Sequence, residues 1–325
     1  MTGNKISNIY IRSLFNNHDI CWSIKDVNVL VGKNGLGKST ILELIKASVT
    51  KDVNSRALKL CHGIQIVFDE NQPNEAKNHL FNPAIMQDEL LNRLTQDDFI
   101  DQIINNIKKT NQSLKNKNKD LRNEIISKII NEVNSDVNTQ ALSQNTIELP
   151  VEYISTVSMS ANSINNINTS DGNIVNFLDY EIREQIQKLL KSPNSQENIE
   201  KLISVLNNMF SDSQKKVVLQ DGNLCFYLEN NQTISYNSLS SGERQVIYIF
   251  AKVINANENN ALILMDEPEI SLHLSWQEML LSEIRKVNKN SQIIIVTHSP
   301  AIVMNGWMDS FTDIKDIINE SEAKK

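Results

Sequence analysis

Gly32, Gly35, Gly37, Lys38 and Ser39 fill the spacing G-x-x-x-x-G-K-[ST] in the stretch Gly-Lys-Asn-Gly-Leu-Gly-Lys-Ser-Thr. Residues of these types at this spacing cradle a phosphate chain, because successive main-chain N–H groups and a helix N-terminus surround the anion. The glycines reach backbone angles closed to other residues and let the main chain approach the phosphates. The Lys38 ammonium can bridge the β- and γ-phosphates, and the Ser39 hydroxyl can ligate Mg2+. Asn34 and Thr40, in the same loop and helix start, complete the candidate nucleotide contacts. A second set of groups lies far along the chain. Asp266-Glu267 closes the apolar run Ala261–Met265: Asp266 is expected to hold Mg2+, usually through water, and Glu267 to polarise a water for in-line attack on the γ-phosphate. His298 follows another apolar run, Gln292–Thr297, where it can hydrogen-bond the γ-phosphate or the attacking water. Ser238–Gln245, Ser-Leu-Ser-Ser-Gly-Glu-Arg-Gln, adds a second anion-binding helix start. One nucleotide does not need two cradles from one chain, so this one is expected to cap the γ-phosphate held by another subunit. Two chains would then sandwich two nucleotides head to tail.

These groups require strands that end together at one sheet edge. Val29–Val31 feeds the glycine-rich turn, and Ile41, Leu42, Leu44 and Ile45 form the amphipathic segment that follows, giving strand, loop, helix. Ala261–Met265 has the form of a buried parallel strand that delivers carboxylates at its C-terminal edge. Ile6–Leu14 and Cys21–Val27 read as an antiparallel start. The polar residues between them, Phe15–Asp19, are an ordinary hairpin turn or one that approaches a nucleotide base. Gly63–Phe68 alternates as a strand, with Gln65 structural. From Asp97 to Val137, apolar residues such as Ile100, Ile103, Ile107 and Leu114 recur at helical steps, suiting a helical hairpin or short coiled coil. Its basic middle, Lys108–Arg122, is a solvated tip or a contact surface for nucleic acid or an acidic partner. Val151–Val157 predicts a strand, followed by an Asn/Ser-rich loop running to Asn173. Helical segments over Phe177–Leu190 and Ile199–Phe210 come next, then a hairpin of Val217–Leu219 and Leu224–Leu228 around Asp221-Gly222. The expected fold is α/β, mainly parallel with an antiparallel β edge. Residues 1–325 are expected to form one composite domain, with 97–209 a mainly helical insertion that includes the strand 151–157.

The chain of 325 residues can hold one large or two ordinary domains. Its net charge of −7 disfavours coating nucleic acid over the whole surface, though not a local basic patch. No window is apolar for long enough to cross a bilayer, and Met-Thr-Gly-Asn-Lys-Ile carries no signal region, so a cytoplasmic protein without a membrane partner is expected. Cys21, Cys61 and Cys225 stand far apart and read as reduced, small apolar residues. His18, His62, His79 and His273 are given structural roles, that of His273 left open.

In order, these motifs resemble the ATP-binding-cassette superfamily: Walker A at Gly32–Ser39, signature at Leu239–Gln245, Walker B at Leu262–Glu267, D-loop at Glu269–His273 and switch His298. Leu-Ser-Ser-Gly-Glu-Arg-Gln, Asp-Glu-Pro-Glu-Ile-Ser-Leu-His and Thr-His-Ser-Pro look like the SMC-like, OLD-type ATPases rather than transporter subunits. The resemblance implies an ATPase using ATP and Mg2+, with Lys38, Glu267 and His298 catalytic and Ser39 and Asp266 on the metal. Ser240 and Gly242, with Glu243 beside them, would reach the γ-phosphate in trans, and Ser271 would sit at the interface of a homodimer or higher even-numbered oligomer. The family's Q-loop glutamine has no clear match; Ser158–Asn162 is where it is expected. The chain is too short for the TOPRIM nuclease that often follows, and only a helix, Ala301–Trp307, and an acidic tail come after His298. That ending is similar to the ATPase halves of PARIS- and Septu-type anti-phage systems, which implies a separate effector, a nuclease or toxin. A DNA-repair ATPase that binds nucleic acid with ATP through Lys108–Arg122 is the alternative. A transporter subunit fits the D-loop and signature poorly, and the chain shows no second carboxylate cluster that would make it its own nuclease.

Overall fold

The computed structural model describes residues 4–69, 77–82, 147–155, 166–168 and 174–320. The expected helical segment Asp97–Val137, its basic stretch Lys108–Arg122 and the Ser158–Asn162 stretch lie outside the described residues. The strands are β1 (Ile6–Leu14), β2 (His18–Ser23), β3 (Val27–Val31), β4 (Gly63–Phe68), β5 (Lys77–Phe81), β6 (Val151–Ser155), β7 (Asn166–Asn168) and β8 (Ile174–Asn176). They continue as β9 (Lys215–Gln220), β10 (Asn223–Leu228), β11 (Thr233–Ile234), β12 (Leu262–Asp266), β13 (Ile293–Thr297), β14 (Phe311–Asp313) and β15 (Ile318–Glu320). The helices are α1 (Lys38–Thr50), α2 (Phe177–Lys191), α3 (Ser195–Met209), α4 (Ser241–Glu258), α5 (Leu274–Val287), α6 (Ala301–Met304) and α7 (Ile314–Ile317).

The chain divides into two compact units. The first comprises Met1–Ser7, Ser23–Lys46 and Leu149–Ile317 and is built on a parallel sheet of order β14-β3-β13-β12-β6. Every residue of β12 and β13 is buried, as in strands covered on both faces, and that is why Leu-Ile-Leu-Met and Ile-Ile-Ile-Val show no alternation. Helix α4 packs against α2, α3, α5 and β6 and buries residues all round from Gln245 to Ala251, so its sequence is apolar on every side. The register matches Thr297 of β13 with Val31 of β3, and Asp266 of β12 with Val296 of β13. The chain therefore leaves β3, β13 and β12 at one edge. In the separate sheet of order β11-β10-β9, Asn223 pairs Gln220 across a two-residue turn in which Asp221 (φ 49°) and Gly222 (φ 76°) are both left-handed, the geometry that an Asp-Gly hairpin selects.

The second unit comprises Asn8–Trp22, Ala47–Glu148 and Ile318–Lys325, with a sheet of order β15-β2-β1-β4-β5. β4 pairs β5, and β15 pairs β2, both antiparallel. Its buried apolar residues include Ile9, Ile11, Ile20, Trp22, Ile66 and Phe68. Burial pushes the Cys61 thiol up to about 12, as suits an inert apolar filler. The turn between β1 and β2 is Phe15–Asn17, and Asp19 accepts a hydrogen bond from the Ser13 N–H (2.7 Å) instead of reaching outward.

Two expectations change. The stretch read as a loop to Asn173 contains a strand, β7, which pairs antiparallel with β8 with Ile167 opposite Val175 and Asn168 opposite Ile174. The helix after His298 ends at Met304, and the tail is not a bare acidic end: β14 pairs in parallel with β3, and β15 pairs with β2. Strands of three residues carry too little periodicity to be read from sequence.

Candidate active site

Because β13 lies between β3 and β12, the residue that follows it emerges between the glycine-rich loop and the carboxylate pair. That residue is His298. Its Nε2 stands 2.9 Å from Glu267 Oε1 and 3.0 Å from Lys38 Nζ. One ring nitrogen cannot donate to the carboxylate and accept from the ammonium at once. With its proton on Nε2 the ring donates to Glu267 and leaves Nδ1, 3.4 Å from Lys38 Nζ, as the acceptor for the ammonium. Lys38 also donates to the carbonyls of Gly32 (2.8 Å) and Lys33 (3.1 Å) of its own loop, in which Gly35 and Gly37 have φ near +81° and +86°. The ammonium is buried, which lowers its pKa against the opposing pull of Glu267, Asp266 and Glu269.

The Ser39 hydroxyl donates to Asp266 Oδ1 at 2.9 Å. Two hard oxygens at that spacing match neighbouring corners of an Mg2+ octahedron, whose edge is about 3 Å for ligands at 2.0–2.1 Å. Desolvation raises the Asp266 pKa, while hydrogen bonds from Ser39 and Tyr153 and the charges of Lys38 and His298 oppose the rise. Three carboxylates, Asp266, Glu267 and Glu269, act on the single ammonium of Lys38. A divalent cation fits this balance of charge and this donor set. Glu267 has φ 48°, a left-handed backbone that a non-glycine residue adopts at a cost and that turns its side chain away from the line of β12.

Asn34 and Gly35 are exposed in the loop, and Gly37 and Thr40 are half-buried beside Lys38 and Ser39. Gly32 has a packing reason as well: a Cβ there would stand 2.4 Å from Ile314 Cγ2.

Ser240, Gly242 and Glu243 form a separate cluster at the start of α4. Ser240 Oγ accepts from the Glu243 N–H (3.2 Å) and Glu243 Oε2 accepts from the Ser240 N–H (2.8 Å), a complete capping box. The remaining oxygen of Glu243 pairs with Lys215 Nζ at 2.6 Å. The carboxylate of Glu243 is thus engaged inside the chain, and the Ser240 hydroxyl proton and the helix N-terminus are what this cluster can offer an anion. Arg244, next in line, contacts both carboxylate oxygens of Asp179 at 3.4 Å, and the Tyr236 hydroxyl donates to the same carboxylate (3.1 Å).

Three residues near the site were given no role in it by the sequence reading. Tyr153 projects from β6 and its hydroxyl reaches Asp266 Oδ2 at 3.4 Å; burial raises its pKa above the usual phenol range. Nothing local in Val-Glu-Tyr-Ile-Ser signals this, since the pairing of β6 with β12 sets it. Glu269 accepts from the Thr297 hydroxyl (2.5 Å) and the His298 N–H (2.9 Å). Gln277 accepts from the Ser299 hydroxyl (2.6 Å) and donates to the Leu272 carbonyl (2.9 Å). The spacing of Glu269 two residues beyond Glu267 was the available signal. His273, left open above, stacks edge-on against Trp276, with ring centroids 5.4 Å apart. No described helix is long and apolar enough to cross a membrane.

Residues 27–305 match the family model described as "AAA domain, putative AbiEii toxin, Type IV TA system". The chain is 31% identical over 85 residues to the "Retron Ec83 probable ATPase" of Escherichia coli, a match covering 23% of this chain and 16% of that protein. It is 32% identical over 87 residues to "Septu protein PtuA" of Bacillus thuringiensis, covering 23% of this chain and 22% of that one. The chain thus spans less than a quarter of the length of these two relatives. The solved SMC head domain from Thermotoga maritima aligns over 93% of this chain and 92% of its own at 13% identity, with a TM-score of 0.46.

Proposed function

The chain belongs to the AAA-domain family whose model it matches, and on that premise we propose that it hydrolyses ATP to ADP and phosphate as a head-to-tail homodimer. The observation that carries the reading is the convergence, at the ends of three adjacent strands, of a chain of contacts Lys38–His298–Glu267 and a hydrogen-bonded pair Ser39–Asp266 whose carboxylate feels the charges of Lys38 and His298. Ser39 and Asp266 would hold Mg2+, which when bound offsets charge on the transferred phosphoryl group. Lys38 leaves its loop carbonyls for the phosphate chain. Glu267 orients the attacking water and takes its proton, and His298, hydrogen-bonded to Glu267, holds that carboxylate in place. The first turn of α4, with Ser240 and Gly242, caps the γ-phosphate of the opposite chain. ATP-driven closure of the dimer restrains or releases a separate effector protein, a nuclease or toxin, in anti-phage defence. The partial matches to a retron ATPase and to a Septu protein support this setting.

The test is phosphate release by the purified full chain, with and without Mg2+, beside Glu267→Gln. The variant is expected to lose at least a hundredfold in turnover, to retain ATP and to run as a stable dimer on native mass spectrometry only when ATP is present. Unchanged turnover would remove Glu267 from the role, and a monomer under all nucleotide conditions would refute the sandwich. Co-expression with neighbouring genes then identifies the effector by what co-purifies.

A further inference from the structure

The chain from Glu267 to Leu272 has the signature helix on one side and the switch loop on the other. On the signature side, Gln245 Nε2 donates to the Pro268 carbonyl at 3.0 Å, and Gly242 lies so close to Ser271 that an added Cβ would stand 2.4 Å from its carbonyl oxygen. Ser271 is held at φ 67°. On the switch side, Glu269 Oε1 accepts both the Thr297 hydroxyl and the His298 N–H, and Gln277 ties the Ser299 hydroxyl to the Leu272 carbonyl. Glu269 is 9% exposed, and its second oxygen, Oε2, is buried with no hydrogen-bond partner among the described residues. A carboxylate is not kept in such a place for packing, because burying its charge is costly unless the bonds it makes are needed.

We propose that Glu269 is a positioning residue for the reaction: it fixes the peptide carrying His298 and so transmits the seating of the α4 signature turn to the Glu267–His298 pair of the same chain. The proposal rests on the ATPase reading above and adds a residue and a direction of coupling to it. Three rigid links make the path. Gly242 and Gln245 fix the main chain at Ser271 and Pro268, that main chain places the Glu269 carboxylate, and the carboxylate holds the His298 N–H at 2.9 Å. The imidazole then stays within 2.9 Å of Glu267 Oε1.

The experiment has two readouts on the full chain, one of which needs no nucleotide. Labelling histidine alone with 15N yields five backbone amide signals, and the one lost in His298→Ala is that of His298. An amide bonded to a carboxylate resonates downfield. Glu269→Ala is therefore expected to move the His298 amide proton upfield by several tenths of a ppm, whereas Glu269→Gln, which keeps an acceptor oxygen, holds it close to the parent position. An unmoved signal in Glu269→Ala overturns the proposal. The second readout is a double-mutant cycle in phosphate release. Glu269→Ala should lower kcat by roughly tenfold or more with KM for ATP within about threefold, Glu269→Gln should recover most of the loss, and in a His298→Ala background Glu269→Ala should cost less than about twofold. Losses that multiply in the double variant mean that Glu269 does not act through His298, and would also overturn it. If the wild-type chain releases no phosphate while the amide shifts as expected, the positioning stands and only the hydrolytic reading falls.

Discussion

Glu243 is where motif reading and structure diverge most usefully. Replacing it with alanine removes two things at once. The Ser240 N–H loses its acceptor, worth about 1 kcal/mol as half of a capping box. The ion pair with Lys215 at 2.6 Å is broken where the two side chains are 4% and 18% exposed. Stranding one partner of a fully buried pair costs about 3–5 kcal/mol, but the Lys215 stem has some outlet to water, so about 2 kcal/mol is the fitting figure. The sum, about 3 kcal/mol, corresponds to a fall in Tm of roughly 6–12 °C for a folding unit of 150–250 residues. The assay is thermal unfolding of the nucleotide-free chain by circular dichroism, beside Glu243→Ala combined with Lys215→Met, which removes the stranded charge and is expected to recover about half the loss. Fluorescent ATP-analogue affinity at a temperature where both variants are folded should change less than about threefold, since the carboxylate faces Lys215 and Ser240. A Tm shift below about 2 °C, or a double variant no more stable than the single one, would refute the reasoning.

Gly242→Ala places a methyl group against the Ser271 carbonyl oxygen, a main-chain atom that cannot swing aside. It is expected to cost about 1–3 kcal/mol in urea unfolding and to lower kcat for ATP; full stability and turnover would show that the turn yields freely. Asp266→Asn separates stability from function. Burial raises the Asp266 pKa above its ordinary 3.8, so the folded chain binds that proton more tightly than the unfolded chain. Its contribution to stability is greatest below pH 3.8 and is lost as pH rises through the folded value. At pH 7 the nucleotide-free Asp266→Asn chain should therefore melt higher than wild type, while the Mg2+-dependent rise in Tm with ATP disappears; a lower Tm in the absence of nucleotide would refute this.

Much of the site was legible because its chemistry is local. A glycine at φ near +81° and a lysine three residues on are set by spacing along one turn, and Ser240 with Glu243 marks a capped helix start without any knowledge of the fold. The apolar runs ending in Asp266 and Thr297 announced buried parallel strands, and both formed. The Asp221-Gly222 hairpin was readable for the same reason, since two consecutive left-handed residues favour few dipeptides. Less was legible where several short segments meet. β7, β8, β14 and β15 are three residues long, and such strands hold because partners are present, not because their own pattern demands it.

What the sequence by itself determined was a set of candidate groups and the local frames that present them: the glycine-rich loop with Lys38, the Asp266–Glu267 pair, His298 after an apolar strand and the capped start of α4. What only the tertiary structure decided was their order in space. With β13 between β3 and β12, His298 falls between Lys38 and Glu267. With β6 beside β12, the Tyr153 hydroxyl reaches Asp266. Only folding brings Lys215 onto Glu243 and Glu269 onto the His298 amide. The physical reason is range: helix capping and loop geometry are settled within a few bonds along the chain, whereas strand order and buried charge pairing depend on which distant surfaces the core brings together.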